Sequence, residues 1–219
     1  MLSQNARIFL TSLFEHKQRK ERLRTTFLAE KLEITKAAIT DISRTLRDEG
    51  YINYEPYQPY ELTETGEKLA QQLFYRICII EKYFFCQFKL LPYRAKIEAI
   101  NAEPGLSDLI IKKMETQTPA PEISLFGHPL REALSYPTAL LNQCEPEMVV
   151  KPIAIKPVAE QYQSSLWEEL ATLLGKYILI NHFDREVEAI QFIINNEQRH
   201  ISLKLANKVI VAVDQSPKL

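Results

Sequence analysis

Residues 25–66 constrain the fold more than any other stretch, because two short helices with their own stop and start signals run directly into a hairpin. Thr25 or Thr26 can open the first of these helices, FLAEKL, since a hydroxyl accepts from a free amide in a helix's first turn. That helix stops at Glu33-Ile34. Thr35 caps the next, from Lys36 to about Glu49, and Gly50 ends it. Ile39, Ile42 and Leu46 recur at helical spacing as its core stripe, and the opposite face carries Ala37, Thr40, Asp41, Arg44 and Asp48. Tyr51–Tyr54 and Tyr60–Leu62 alternate as two short strands about a Pro-containing turn. An earlier helix, Gln4 to His16, precedes them. Helix, helix, helix and hairpin in this order is the winged helix-turn-helix pattern.

The rest of the chain is organised around one long helix opened by Thr63. From Ile77 to Phe88 it is apolar on nearly every face, and such a helix must be covered all round. A second copy of the chain is the expected cover, with Leu73, Ile77, Ile80 and Phe84 as the dimerisation residues. Two helices follow, near Pro92–Asn101 and Leu106–Met114. Five prolines in residues 116–148 argue for an ordered or semi-ordered linker and not a helix. Beyond it, strands are expected at Val149–Val158, Tyr177–His182, Glu188–Ile194, His200–Lys204 and Lys208–Val213, with one helix between them. Ser165 and Glu168 would make a capping box for that helix, which Gly175 ends. Five short strands and one helix suit a small closed β-barrel. The expected class is therefore α+β, mainly α. The expected divisions are 1–65 (winged helix), 66–118 (helical dimerisation domain), 119–148 (Pro-rich linker) and 149–219 (barrel).

Composition excludes several functions. The chain has 219 residues, 46% hydrophobic and 25% charged, an ordinary globular balance. Only 4 His and 3 Cys are present, too few for a zinc-finger array or a disulfide scaffold. With 5 Gly there is no GxGxxG or Walker-type phosphate loop, and no nucleophile–base–orienter set is visible, so no enzyme is expected. No run reaches the roughly 18 apolar residues of a membrane span. Basic residues follow the N-terminal apolar patch, the wrong order for a secretory signal, and three unpatterned cysteines fit a reducing cytoplasm. The net charge of -1 hides an asymmetry: residues 1–47 carry ten Lys or Arg against five Asp or Glu.

The stretch LAEKLEITKAAITDISRTLRDEGYINYEPYQPYELTETG resembles the helix-turn-helix and wing of the diphtheria toxin repressor family of iron- and manganese-dependent regulators. LFGHPL resembles that family's loop after the dimerisation helices, and the C-terminal strands resemble its Src-homology-3-type barrel. The resemblance implies a homodimeric transcription regulator on double-stranded DNA. A recognition helix meets base edges with its N-terminal residues, here Thr35, Lys36, Ala37, Ala38, Thr40, Asp41 and Arg44. Thr26, Tyr57 and Gln58 complete the expected contact set, and the basic connector Lys17, Arg19, Lys20, Arg22 and Arg24 could add phosphate contacts. The wing departs from the family, with Gln58-Pro59 where Arg-Gly is common.

The resemblance also implies a manganese or iron cofactor, but this chain departs from the ligand pattern. Ile8 and Thr11 stand where helix one supplies ligands, and Ile77 stands where the long helix supplies a histidine. Glu98, Asn101 and Ala102 stand at the expected Glu-x-x-Glu-His group. Glu81 and Glu98 are remnant candidates. Two carboxylates do not hold a transition metal tightly without imidazole or thiolate partners. Ile8 and Ile77 are instead expected to pack together, with roughly 2–5 kcal/mol of favourable transfer. The leading expectation is a metal-independent DNA-binding repressor. A regulator sensing metal elsewhere, and an interaction module that has lost DNA binding, are the two alternatives.

Overall fold

The computed structural model describes residues 2–55, 58–118, 121–130, 134–156, 168–184 and 186–213. They fall into two compact units, Met1–Ile80 with Lys96–Gln117, and Glu81–Ala95 with Thr118–Leu219.

The first unit opens with α1 (Gln4–Gln18), α2 (Thr25–Leu32) and α3 (Lys36–Asp48). Ser3 caps α1 and Thr35 caps α3, each accepting from a backbone amide three residues on. The expected threonine cap of α2 is corrected. Arg24 holds the cap position without a side-chain bond, and Thr25 lies inside the first turn with its hydroxyl 2.9 Å from that of Tyr60. Glu33 closes α2 in the left-handed region at φ 54°. That conformation turns the chain into α3 within three residues. Gly50, at φ 77°, follows α3 as expected. The hairpin is shorter than its alternation suggests: β1 (Ile52–Asn53) pairs antiparallel with β2 (Glu61–Leu62). Phe9, Leu10, Leu28, Ile39, Leu46 and Ile52 are fully buried and bind this head together.

Thr63 opens α4 (Glu64–Phe88), accepting from the Gly66 amide at 3.0 Å. α5 (Pro92–Ala102) and α6 (Asp108–Gln117) are joined by a 3-10 turn, Glu103–Gly105. α4 and α5 each contribute residues to both units.

The second unit is built on a six-stranded antiparallel sheet of β3 (Thr138–Leu140), β4 (Val149–Ile155), β5 (Ile178–Asp184), β6 (Ala189–Ile194), β7 (Glu197–Ser202) and β8 (Val209–Val213). Their order is β3-β8-β4-β5-β6-β7. β3 was not expected. It comes from the Pro-rich stretch read as a linker, which also buries Leu125, Phe126, Leu141 and Cys144 in the core of this unit. Proline disfavours a helix interior but is tolerated beside an edge strand, and β3 lies at the sheet's edge. Helical turns occupy 168–171, and Gly175 follows at φ 78°. Ser165 of the expected capping box lies outside the described residues.

Candidate nucleic-acid interface

α3 buries Ile39, Ser43 and Leu46 and leaves Thr35, Lys36, Ala37, Asp41 and Arg44 exposed, with Ala38 and Thr40 half-buried. The apolar stripe decides this, since it fixes which face turns to solvent. Thr35 and Thr40 also serve the helix. The Thr35 hydroxyl accepts from the Ala38 amide at 3.2 Å, and the Thr40 hydroxyl donates to the Lys36 carbonyl at 3.1 Å. Asp41 lies 3.3 Å from Arg44, one helical turn on. A carboxylate next to a polyanion is unfavourable, and this pairing partly neutralises it. The pair is exposed, so the arginine is easily released to a stronger anion.

Beside α3 lies a groove of about 920 Å³ lined by Arg22, Leu23, Arg24, Thr25, Thr26, Thr40, Arg44, Tyr54, Gln58, Pro59 and Tyr60. It gathers residues from the connector, α2, α3 and the hairpin. Three arginines and no acidic side chain line it among the described residues. Such a concave, single-signed surface concentrates anions. Thr26, Thr40, Arg44 and Gln58 of the expected contact set meet here. Tyr57 lies outside the described residues.

The connector divides in two. Arg22 and Arg24 face the groove, whereas Lys17 forms an ion pair with Glu67 at 2.7 Å. Tyr54 and Tyr60 were missed as site residues. Their rings stack at 5.5 Å, and Phe9 meets Tyr60 edge-on at 5.0 Å, which props up the groove wall. Only their repetition as tyrosines in the hairpin hinted at this.

The candidate metal positions do not assemble a ligand set. Ile8, Ile77 and Ala102 offer no donor atom. The Thr11 hydroxyl is turned back onto the carbonyls of Arg7 and Ile8, at 3.0 and 3.2 Å. Asn101 Oδ1 accepts from Gln4 at 3.2 Å. Glu98 is half-buried on α5. Glu81 is buried and accepts from the backbone amide of Leu125 at 3.1 Å, so it anchors a loop of the second unit. Among the described residues no group of three or more His, Cys, Asp or Glu side chains could hold a metal ion. This donor set does not fit manganese or iron.

Of the expected dimerisation residues, Leu73, Ile77 and Ile80 are buried within the chain's own core, and Phe84 is half-buried. Phe84 stacks on Phe88 at 5.3 Å, and Tyr83 meets Phe88 edge-on at 5.9 Å. Phe88 is 60% exposed, a large apolar side chain left at the surface. Cys78, Cys86 and Cys144 are free thiols, and burial pushes the Cys144 thiol above its ordinary value. No helix among the described residues is long and apolar enough to cross a membrane.

No protein-family model matches the chain. Over 100 residues it is 35% identical to an uncharacterized HTH-type transcriptional regulator of Methanocaldococcus jannaschii, covering 45% of this chain and 79% of that protein. Its fold is similar to solved structures that include the following three. The first, described as a manganese-dependent transcriptional repressor complex with manganese, has a TM-score of 0.65 at 16% identity, over 95% of this chain and 99% of that one. The second is IdeR of T. acidophilum, with a TM-score of 0.59 at 15% identity over 98% and 99%. The third is the manganese regulator SloR, with a TM-score of 0.57 at 18% identity over 97% and 100%.

Proposed function

Because this chain belongs to the HTH-type transcriptional regulators and has the fold of the diphtheria toxin repressor type, we propose that it is a homodimeric, sequence-specific DNA-binding repressor that reads its operator without metal. The observation that carries the DNA reading is the groove beside α3, where Arg22, Arg24 and Arg44 converge with Thr26 and Thr40. In this reading α3 enters the major groove. Lys36 and Arg44 reach base edges or phosphates, Ala37 and Ala38 allow close approach, and Thr35 and Thr40 add short polar contacts. Arg22 and Arg24 hold the flanking phosphates, and Gln58 replaces a charged wing contact with a neutral one. The exposed aromatic end of α4 is the face for a second copy, which matches a two-fold symmetric operator. No catalytic role is proposed, and the protein acts in the cytoplasm, where its DNA lies.

Metal independence rests on the donor set at Ile8, Thr11, Ile77, Asn101 and Ala102. The test is selection of binding sites from random DNA by the exhaustively chelated protein. The expected result is an enriched palindromic sequence bound equally well in excess chelator and in manganese or iron. Binding that collapses on chelation and returns with either metal would sink this part of the proposal.

A further inference from the structure

We propose that Arg7, Arg76 and Glu103 are positioning residues, forming a permanent ionic lock that sets the DNA-reading head on its helical scaffold. This inference rests on the DNA-binding reading above. All three residues lie in the first unit. Glu103 opens the 3-10 turn after α5, and its side chain is 2% exposed. Arg7, on α1, donates to it from Nε at 2.9 Å and from Nη2, which lies 2.6 Å from each carboxylate oxygen. Arg76, on α4, donates from Nε to the same carboxylate at 2.7 Å. The rest of the Arg76 fork goes to the Leu106 carbonyl, at 2.7 Å, and to Asp108 at the start of α6.

Three segments therefore meet at one buried carboxylate. α1 packs against α2, α3 and β2, so whatever fixes α1 fixes the reading head. α1 is fastened to α5 at two further points, Gln4 to Asn101 at 3.2 Å and Glu15 to Lys96 at 2.5 Å. An apolar contact tolerates sliding, whereas a guanidinium fork on a carboxylate has a direction. A buried charge pulled from its partners is strongly unfavourable, so alternative registers of α1 are disfavoured.

The placement bears on the metal question. Arg7 and Arg76 immediately precede Ile8 and Ile77, and Glu103 immediately follows Ala102. The lock thus joins the segments at which the sequence resemblance implied ligands. Its two guanidiniums are balanced by Glu103 and Asp108, so the lock itself carries no net charge. From the sequence alone, an apolar tie is expected at Ile8 and Ile77. An ionic link across these segments lies one residue earlier on each helix.

The experiment uses the full chain in chelator, with the selected operator, the same operator with one base pair inserted or removed between half-sites, and a lone half-site. Wild type, Glu103→Gln, Arg7→Gln and Arg7→Lys are compared well below their thermal transitions. The lock predicts that Glu103→Gln and Arg7→Gln bind the operator about tenfold more weakly. Their penalty for altered spacing shrinks by a similar factor, lone half-site affinity is unchanged, and Arg7→Lys falls between them and wild type. Variants that keep the wild-type spacing penalty, or lose lone half-site binding as much as operator binding, overturn the lock. If Glu103→Gln does not fold, Arg7→Gln decides alone, because it leaves Arg76 on Glu103. A wild type that selects no DNA refutes the proposed function and this inference with it, whereas unaffected variants of a DNA-binding wild type refute only the lock.

Discussion

Gly66 shows how a single residue keys the reading head to the helix behind it. It lies in the first turn of α4, and a Cβ there would come 1.8 Å from the Tyr51 carbonyl oxygen. That oxygen also accepts from the Thr63 amide at 3.1 Å, and the Thr63 hydroxyl donates to the Gly50 carbonyl at 2.7 Å. The end of α3 and the start of α4 are thus held backbone to backbone. Gly66→Ala should destabilise the protein by about 1–3 kcal/mol, read as a lower urea midpoint at constant slope, because neither backbone can give way cheaply. The sequence showed this glycine only as part of a family-like phrase, and its physical reason is the approach of Tyr51. Residues whose role is local were more legible. Thr35 and Gly50 announce a cap and a stop from sequence alone, since each acts within one helical turn.

At the scale of elements, the proposed DNA binding is divided between α3 and the connector. In that proposal the side chains of α3 discriminate bases, whereas Arg22 and Arg24 hold phosphates. Replacing both arginines with alanine should weaken binding by a similar factor on every DNA sequence. It should also make the slope of log affinity against log salt shallower by about 2. Filter binding or anisotropy at several salt concentrations checks this, and a loss confined to one operator base would contradict it. The periodicity of Ile39, Ile42 and Leu46 foretold which face α3 exposes. Periodicity says nothing about a loop, so the parting of Lys17 towards Glu67 from Arg22 and Arg24 towards the groove came only from the structure. The Pro-rich stretch misled for a related reason. Proline argues against helix but leaves strand and loop equally open, and neighbours elsewhere in the chain decided that β3 joins the sheet.

For the whole molecule, the apolar length of α4 pointed to a cover on all sides, but not to which residues the chain would cover by itself. Leu73, Ile77 and Ile80 are buried within it, while Phe84 and Phe88 stack at a surface with Phe88 60% exposed. Replacing Phe84 and Phe88 together with aspartate should shift the protein from dimer to monomer in analytical ultracentrifugation, with its helical circular dichroism retained. A double variant that stays dimeric would place the contact elsewhere. Operator binding should fall with the dimer, because two half-sites then no longer act together.

Sequence by itself determined the order of elements in the first unit, the exposed face of α3, the basic head and the lack of donors at Ile8, Ile77 and Ala102. Each of these is a property of residue type or of spacing along one element. Tertiary structure decided the close approach at Gly66, the gathering of three arginines into a groove and the meeting of Arg7, Arg76 and Glu103. Residues 7, 76 and 103 have no sequence period in common. Only the packing of α1, α4 and the turn after α5 brings their charges together, and burial then makes each depend on the others.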